Sequence, residues 1–354
     1  MNTFQAGNQL RILTVTNLWP VGDSFRGIFV QEQVEALRRL GLHVDVEIVA
    51  QARGKADYLL AAPRVRRRAH SGDYHLVHVH YGLTALAARL VTGVPRVLSL
   101  YGSDLNIPWQ RAVTKLSWGG TAARTYPSPQ FVARFRDRAG YAIPNGVDFT
   151  LFAPTDRTAA RTALGIAPDE SVVLFGGHPD NQIKGYDLFV DVLAEVRARG
   201  VAVRELILAE PGQPRTEVPR KFDTADVLLF TSRKGTEGSP TVVKEASVMG
   251  LPVVSVGVGD VAQTLSGVTP SAVVDYPEEA NGDKARTDLV GMLADRVAEI
   301  LASGQRSNGR ERNGELDSMR IAARVTEVYQ RVLDPAGAGQ RAALGGSAQL
   351  GGAA

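Results

Sequence analysis

The chain has 354 residues, which at roughly 150 residues per domain predicts two domains. Its 44% apolar and 22% charged residues are those of an ordinary globular protein, and 40 basic against 37 acidic residues leave a net charge of +3, too slight to mark nucleic acid as the main ligand. The absence of cysteine excludes a disulfide framework, a Cys-ligated zinc site and a cysteine nucleophile.

Met1–Gln9 is polar and has no apolar signal core. Leu10–Thr16 then reads as a short buried strand, and Val30, Val34 and Leu37 fall at helical spacing before Gly41, where a C-terminal capping glycine belongs. His43–Val49 alternates like a strand, His75–His80 is another, Leu83–Leu90 reads as the helix after it, and Arg96–Leu100 follows. Strand–helix–strand repetition of this kind predicts a parallel sheet with helices on both faces. The longest apolar stretch, Tyr81–Tyr101, is interrupted by Arg89 and Arg96, so no segment reads as a membrane span. The expectation is a soluble, cytoplasmic protein.

Tyr141–Pro154 breaks the pattern with two prolines and an Asn-Gly turn, and the domain linker is placed there. The predicted domains are 1–150 and 151–334. In the second, strands are expected at Val172–Phe175, Glu205–Ala209, Asp226–Thr231 and Pro252–Val256, with helices at Tyr186–Arg199 and Thr241–Met249. Two such halves make a cleft, and sheets of this type bind ligands at the carboxyl ends of their strands. The Gly/Ala-rich tail, 335–354, is expected to be disordered.

The most informative stretch is Glu237–Gly250, EGSPTVVKEASVMG. Ser239 reads as an N-cap, Pro240 as the first helical residue and Gly250 as the residue after the helix. A helix that starts just after a strand presents its unpaired amides and dipole to the cleft, which suits a phosphate. Glu237 lies before that helix and Glu245 about one and a half turns inside it. Spacing alone leaves a well-capped surface helix with two solvated glutamates as an equal reading.

Glu237 and Glu245, followed by GLPVVS and VGDV, resemble the Glu-x7-Glu signature of the family 4 (group 1) glycosyltransferases, nucleotide-sugar enzymes of the two-domain GT-B fold. The similarity extends to Phe25–Phe29, His78–Gly82, Gly102–Asp104, Ile143–Asp148 and Lys184-Gly185. Each piece is weak alone; their order and spacing together are specific. The fold class the resemblance implies is α/β, with two doubly wound Rossmann-like domains facing a central cleft and a helix near 319–333 crossing back to the first domain. The implied activity is retaining, metal-independent hexosyl or glycosyl transfer (class EC 2.4) from a nucleotide diphosphate sugar to a hydroxyl acceptor, in cell-surface polysaccharide, glycolipid or glycoconjugate synthesis. No cofactor is implied beyond the donor substrate.

By resemblance, Glu237 contacts the donor sugar hydroxyls and Glu245 the ribose, while Gly238, Ser239, Pro240, Thr241 and Val242 form the phosphate end. Lys184 supplies positive charge to the leaving pyrophosphate. Gly27, in the first strand–helix loop, lets the backbone approach a phosphate or acceptor and is counted with the donor-site residues, with a plain turn glycine as the competing reading. The family usually has an arginine six residues before the lysine; here that position is His178, a donor-site residue without a fixed charge. Many relatives carry a histidine where Tyr101 stands, touching the transferred sugar; with His80 it completes the predicted catalytic set of Glu237, Lys184, His80 and Tyr101. Tyr81 and Asp104 are assigned to the acceptor side, with an N-cap as the competing reading for Asp104.

His78 and His80 share one strand face while His75 points the other way, so the three do not converge on a metal, and none is predicted. The basic run Arg64, Arg66, Arg67 and Arg68 reads as a solvated helix face or, by resemblance, as a contact with anionic lipid at the inner membrane face. Two other classes stay open. An oxidoreductase lacks its G-x-G-x-x-G after the first strand. A catalytically weakened nucleotide-sugar-binding protein of the same fold is compatible with His178 and Tyr101.

Overall fold

The computed structural model describes residues 9–22, 25–210, 212–277 and 283–335. The tail expected to be disordered lies, from residue 336 on, outside the described residues.

Among the described residues, eleven parallel strands form two sheets. The first contains β1 (Arg11–Thr16), β2 (His43–Ile48), β3 (Leu76–His80), β4 (Arg96–Ser99), β5 (Ala123–Tyr126) and β6 (Gly140–Ala142), in the spatial order β2-β1-β3-β4-β5-β6. The second contains β7 (Val172–Phe175), β8 (Arg204–Ile207), β9 (Val227–Phe230), β10 (Val253–Val256) and β11 (Ala272–Val274), ordered β11-β10-β9-β7-β8. In each sheet the chain starts in the middle, steps to one side, then returns across the first strand. The switch points fall between β1 and β3 and between β7 and β9, and their carboxyl ends face the same cleft.

The central strands VVLF, VLLF and VVSV are buried on both faces, which is why they read as apolar runs rather than alternations. The sequence-derived helix at Leu83–Leu90 is instead a short 3-10 turn, Gly82–Leu86. Tyr81 enters it at φ 82°, and the buried Thr84 hydroxyl donates to Asn17 Oδ1 at 2.8 Å, so this segment wraps against the β1 loop instead of extending as a regular helix.

The final helix, Ser318–Leu333, is capped by Asp317, whose carboxylate accepts from the Met319 amide at 2.7 Å. Its buried face, Ile321, Ala322, Val325, Val328 and Tyr329, packs into one core with Ile12, Val34, Leu37 and Val97 of the first half. The last helix thus lies on the first sheet's layer. The linker and this returning segment run side by side: Val147 donates to the Leu316 carbonyl and accepts from the Ser318 amide, both at 2.8 Å. No helix among the described residues is long and apolar enough to cross a membrane.

Candidate active site between the two sheets

A cavity of about 680 Å³ opens between the two halves. Its floor on the second half comes from the carboxyl ends of β7, β8 and β9: Gly176, Gly177, Leu208 and the loop carrying Glu237. The opposite wall comes from the loop after β1, with Leu18, Phe25, Arg26, Gly27 and Phe29, and from Asn145 in the linker.

Gly27 stands at φ 82°, and a Cβ there would fall 2.3 Å from the Leu18 carbonyl carbon. Only glycine fits this turn, which brings the N-terminus of the Ile28–Arg39 helix to the cavity. Gly238 is excluded from side-chain growth more severely, since its Cβ would lie 1.7 Å from the Tyr101 carbonyl oxygen. That contact joins the two halves, and Asn106 Nδ2 adds a hydrogen bond of 3.3 Å to the Glu237 carbonyl.

Lys184 ends a 3-10 turn, Gln182–Lys184, and reaches Glu237 Oε1 at 2.7 Å. The same oxygen accepts the Ser232 hydroxyl at 3.0 Å. The helix Thr241–Val248 begins beside this pair, and Thr241 and Val242 line the cavity at the end where first-turn amides have no intrahelical acceptor. The expected cap differs: Pro240 occupies the N-cap position with no side-chain cap bond, and the helix starts at Thr241. Ser239 stands one residue before that position, and its hydroxyl accepts from Lys244 Nζ.

Glu245 sits deeper on that helix, 3% exposed, with Oε1 2.6 Å from Arg215. Arg215 also meets Glu32, from the Ile28–Arg39 helix of the first half, at 2.9 Å. Burial pushes the Glu32 carboxyl up to about 7 against the pull of Arg215. This three-residue bridge across the cleft was not anticipated from sequence. Arg215 does follow the carboxyl end of a predicted strand, a position the cleft rule favours. Its partners Glu32 and Glu245 are 183 and 30 residues away, and nothing local announces them.

Of the predicted donor residues, Gly27, His178, Lys184, Glu237, Ser239, Pro240, Thr241, Val242 and Glu245 all line this one cavity, with Gly238 packed just behind them against Tyr101. His178 is half-buried, and its Nδ1 accepts from the Asp180 amide at 3.2 Å.

His80, Tyr101, Asp104 and Tyr81 lie elsewhere than expected. His80 and Tyr101 do not line the cavity. His80 is fully buried on the central strand β3, its Nδ1 2.5 Å from the Tyr101 hydroxyl, and Tyr101 packs edge-on to Phe29 with ring centroids 4.8 Å apart. Burial, with His78 adjacent, holds His80 well below the usual histidine range, and burial pushes the Tyr101 phenol up, so the pair is a neutral unit behind the wall. Asp104 is neither a cleft residue nor an N-cap. It lies within the Ser103–Asn106 turn, fully buried, and accepts the Gly82, Tyr101 and Gly102 amides at 3.0, 3.0 and 2.9 Å, which ties together the loops after β3 and β4. Burial raises its carboxyl to about 6. Tyr81 likewise faces Gln110 and Ser103, with its hydroxyl 2.6 and 3.0 Å from their side chains, and does not line the cavity.

His78 engages both ring nitrogens, with Tyr329 at 2.6 Å and Ser99 at 2.7 Å, and His75 Nδ1 accepts the Arg11 amide at 3.0 Å. Among the described residues no group of three or more His, Cys, Asp or Glu is placed to hold a metal ion. In the basic run, Arg64 and Arg68 are turned toward Glu47 at 2.7 and 2.6 Å, which leaves Arg66 and Arg67 exposed without such a pairing.

The sequence model of Glycosyltransferase Family 4 matches residues 27–151. The chain is 26% identical to a D-inositol 3-phosphate glycosyltransferase of Segniliparus rotundus, over 78% of this chain and 68% of that one. It is 28% identical to the enzyme of the same name from Xylanimonas cellulosilytica, over 75% and 74%. Among solved structures, a sucrose-phosphate synthase from Thermosynechococcus elongatus superposes with a TM-score of 0.71 at 19% identity, over 93% of this chain and all of that one. The HepE protein of Anabaena, solved with UDP, superposes with a TM-score of 0.59 at 16% identity, over 91% of this chain and all of that one. At these identities the structural matches establish the two-domain fold, and the sequence matches carry the kinship.

Proposed function

We propose, from the premise that this chain belongs to the family 4 glycosyltransferases and shares their GT-B architecture, that its cavity holds a nucleotide diphosphate sugar whose sugar passes to a hydroxyl acceptor with retention at the anomeric carbon. One observation carries this reading. Lys184, Glu237, Glu245 and the open N-terminus of the Thr241–Val248 helix converge on a single cavity at a topological switch point.

The assigned roles follow from chemistry. A glycosidic bond to a diphosphate breaks as negative charge grows on the phosphate, and a fixed ammonium with helix amides stabilises that charge without reorganising. Lys184 and Thr241–Val242 supply those groups. Lys184 and Glu237 pair at 2.7 Å; a bound donor would exchange that pair for phosphate on the lysine and sugar hydroxyls on the glutamate. Glu245, fixed by Arg215, suits the vicinal hydroxyls of a ribose. The acceptor hydroxyl enters on the face of the leaving diphosphate, whose oxygen takes its proton, so the new bond forms where the old one breaks. No protein nucleophile and no metal ion is assigned a part.

The named relatives act on an inositol phosphate, which supports a hydroxyl-rich acceptor. Synthesis of a cell-surface glycan, glycolipid or glycoconjugate in the cytoplasm, next to the inner membrane face, is the setting we infer. Arg66 and Arg67, with the half-exposed Leu59 and Leu60 on the adjoining turn, would touch anionic lipid there.

Incubation with UDP-, GDP- and ADP-sugars and a panel of polyol acceptors, with a chelator present, tests the reading. It predicts release of one nucleotide diphosphate and a product of unchanged anomeric configuration. Tight binding with no product would favour the nucleotide-sugar-binding alternative, an inverted product would overturn retention, and activity lost to the chelator and restored by magnesium or manganese would overturn metal independence.

A further inference from the structure

We infer that Lys244 is a positioning residue for the diphosphate end of the site: with Asp260 it turns the Ser239 hydroxyl into a hydrogen-bond donor directed into the cavity. The inference rests on the donor-site reading above and adds to it a residue on the hidden side of the helix.

Lys244 is 1% exposed, on a helix whose other buried residues include Val242, Val243, Ala246 and Val248. An apolar side chain would satisfy that packing. A buried ammonium is costly unless paired, and replacing a buried ion pair by apolar residues is often neutral or stabilising. Packing therefore gives no reason for a lysine here. The ammonium makes two contacts: Asp260 Oδ2 at 3.0 Å, and the Ser239 hydroxyl oxygen.

An ammonium has donors and no acceptor, so Ser239 Oγ must accept from it. The hydroxyl's single proton is then obliged to point elsewhere. The Ser239 main chain is held as well, since its carbonyl accepts from Asn145 Nδ2 at 3.5 Å and the preceding Gly238 carbonyl accepts from the Asp260 amide at 3.1 Å. Ser239 lines the cavity beside Thr241 and Val242. Its proton therefore joins the helix amides as one more donor at the place where the distal phosphate would sit.

Asp260 is committed to the same end. It is 5% exposed, gives one oxygen to Lys244, and its other, Oδ1, is buried without a hydrogen-bond partner among the described residues. The acid thereby fixes the ammonium from which Ser239 Oγ accepts.

A double-mutant cycle tests the inference by calorimetry, with UDP, GDP and ADP against UMP, GMP and AMP as probes. The monophosphates lack the distal phosphate. Lys244→Met and Ser239→Ala are each expected to weaken the preferred diphosphate about tenfold, the scale of one charge-assisted hydrogen bond, with the matching monophosphate changed less than twofold. The double variant should bind no more weakly than either single one, and Ser239→Thr should keep wild-type affinity. If Lys244→Met does not fold, Lys244→Met/Asp260→Asn replaces it, because the unpaired buried acid is removed with the lysine. Equal losses for diphosphate and monophosphate, additive losses in the double variant, or unaltered diphosphate affinity in Ser239→Ala would each overturn the inference. Affinity that disappears in Glu245→Ala but survives in the Lys244 and Ser239 variants would leave the donor-site reading standing and remove this one. No binding of any probe to the wild type would overturn both.

Discussion

The two walls of the cleft are built from opposite materials. The second half presents charge: Lys184 against Glu237 and Arg215 against Glu245 at the carboxyl ends of β7, β8 and β9, with the buried Lys244–Asp260 pair behind them. The first half presents a largely neutral wall of apolar side chains and a close-turning glycine, with Arg26 the exception among the described lining residues, backed by His78, His80 and Tyr101 held neutral by burial. Both sheets have the same winding order, so topology does not explain the contrast. What differs is the residue supply at the strand ends. Under the proposed function, a wall for a diphosphate needs fixed charges, and one for an uncharged hydroxyl needs shape and the exclusion of water.

The neutral wall can be broken by acid. Burial lowers His78 to about 3 from its ordinary 6.5. Because the folded-state value is depressed, the stability linked to it is fully present above about pH 6.5 and is lost as pH falls toward 3. The loss is on the order of several kcal/mol at one pH unit being about 1.4 kcal/mol. Chemical denaturation from pH 7 to 4 should show it, and a folded His78→Gln variant should show a shallower slope.

The charged wall is broken by Lys184→Ala, which should lower kcat by about 10² to 10³, the usual scale for removing one group that stabilises developing charge. The donor KM should move much less, and steady-state kinetics separates the two. Glu245→Ala should act the other way round. The ribose is unchanged through the reaction, so the loss is uniform: donor KM and nucleotide Kd rise by about tenfold with kcat nearly constant. Glu237→Ala should lie between them, altering sugar choice more than nucleotide affinity, although it also frees Lys184 from its 2.7 Å partner. The smallest effect is a sharpening. His178→Arg adds a fixed charge at the cavity rim and should tighten donor binding by about 1 kcal/mol in calorimetry.

The charged wall was more legible in the sequence than the neutral one, for a physical reason. Glu237, Ser239, Thr241, Val242 and Glu245 lie within nine residues of one another on a strand–loop–helix unit, so their spacing fixes their mutual geometry. The apolar runs sufficed for the α/β class, and the resemblance carried by the Glu-x7-Glu pattern for the GT-B architecture. His80 and Tyr101 were misplaced because motif position says which strand end a residue occupies, not whether the chain turns its side chain to the cleft or behind the wall. Tyr101 turns inward because its carbonyl is pressed on Gly238 and its ring on Phe29, contacts made over long sequence separation. Asp104 shows the same limit: its three backbone donors come from two loops. Arg215 and Glu32 were missed because an ion pair bridging 183 residues has no local signature.

The most direct test of the central claim is a structure of the protein with its preferred nucleoside diphosphate bound. The account predicts the ribose hydroxyls within hydrogen-bond distance of Glu245, and the distal phosphate on Lys184 Nζ and the Thr241 and Val242 amides. A nucleotide bound elsewhere, or in this cavity with its ribose at Lys184 and its phosphates toward Glu245, would contradict it.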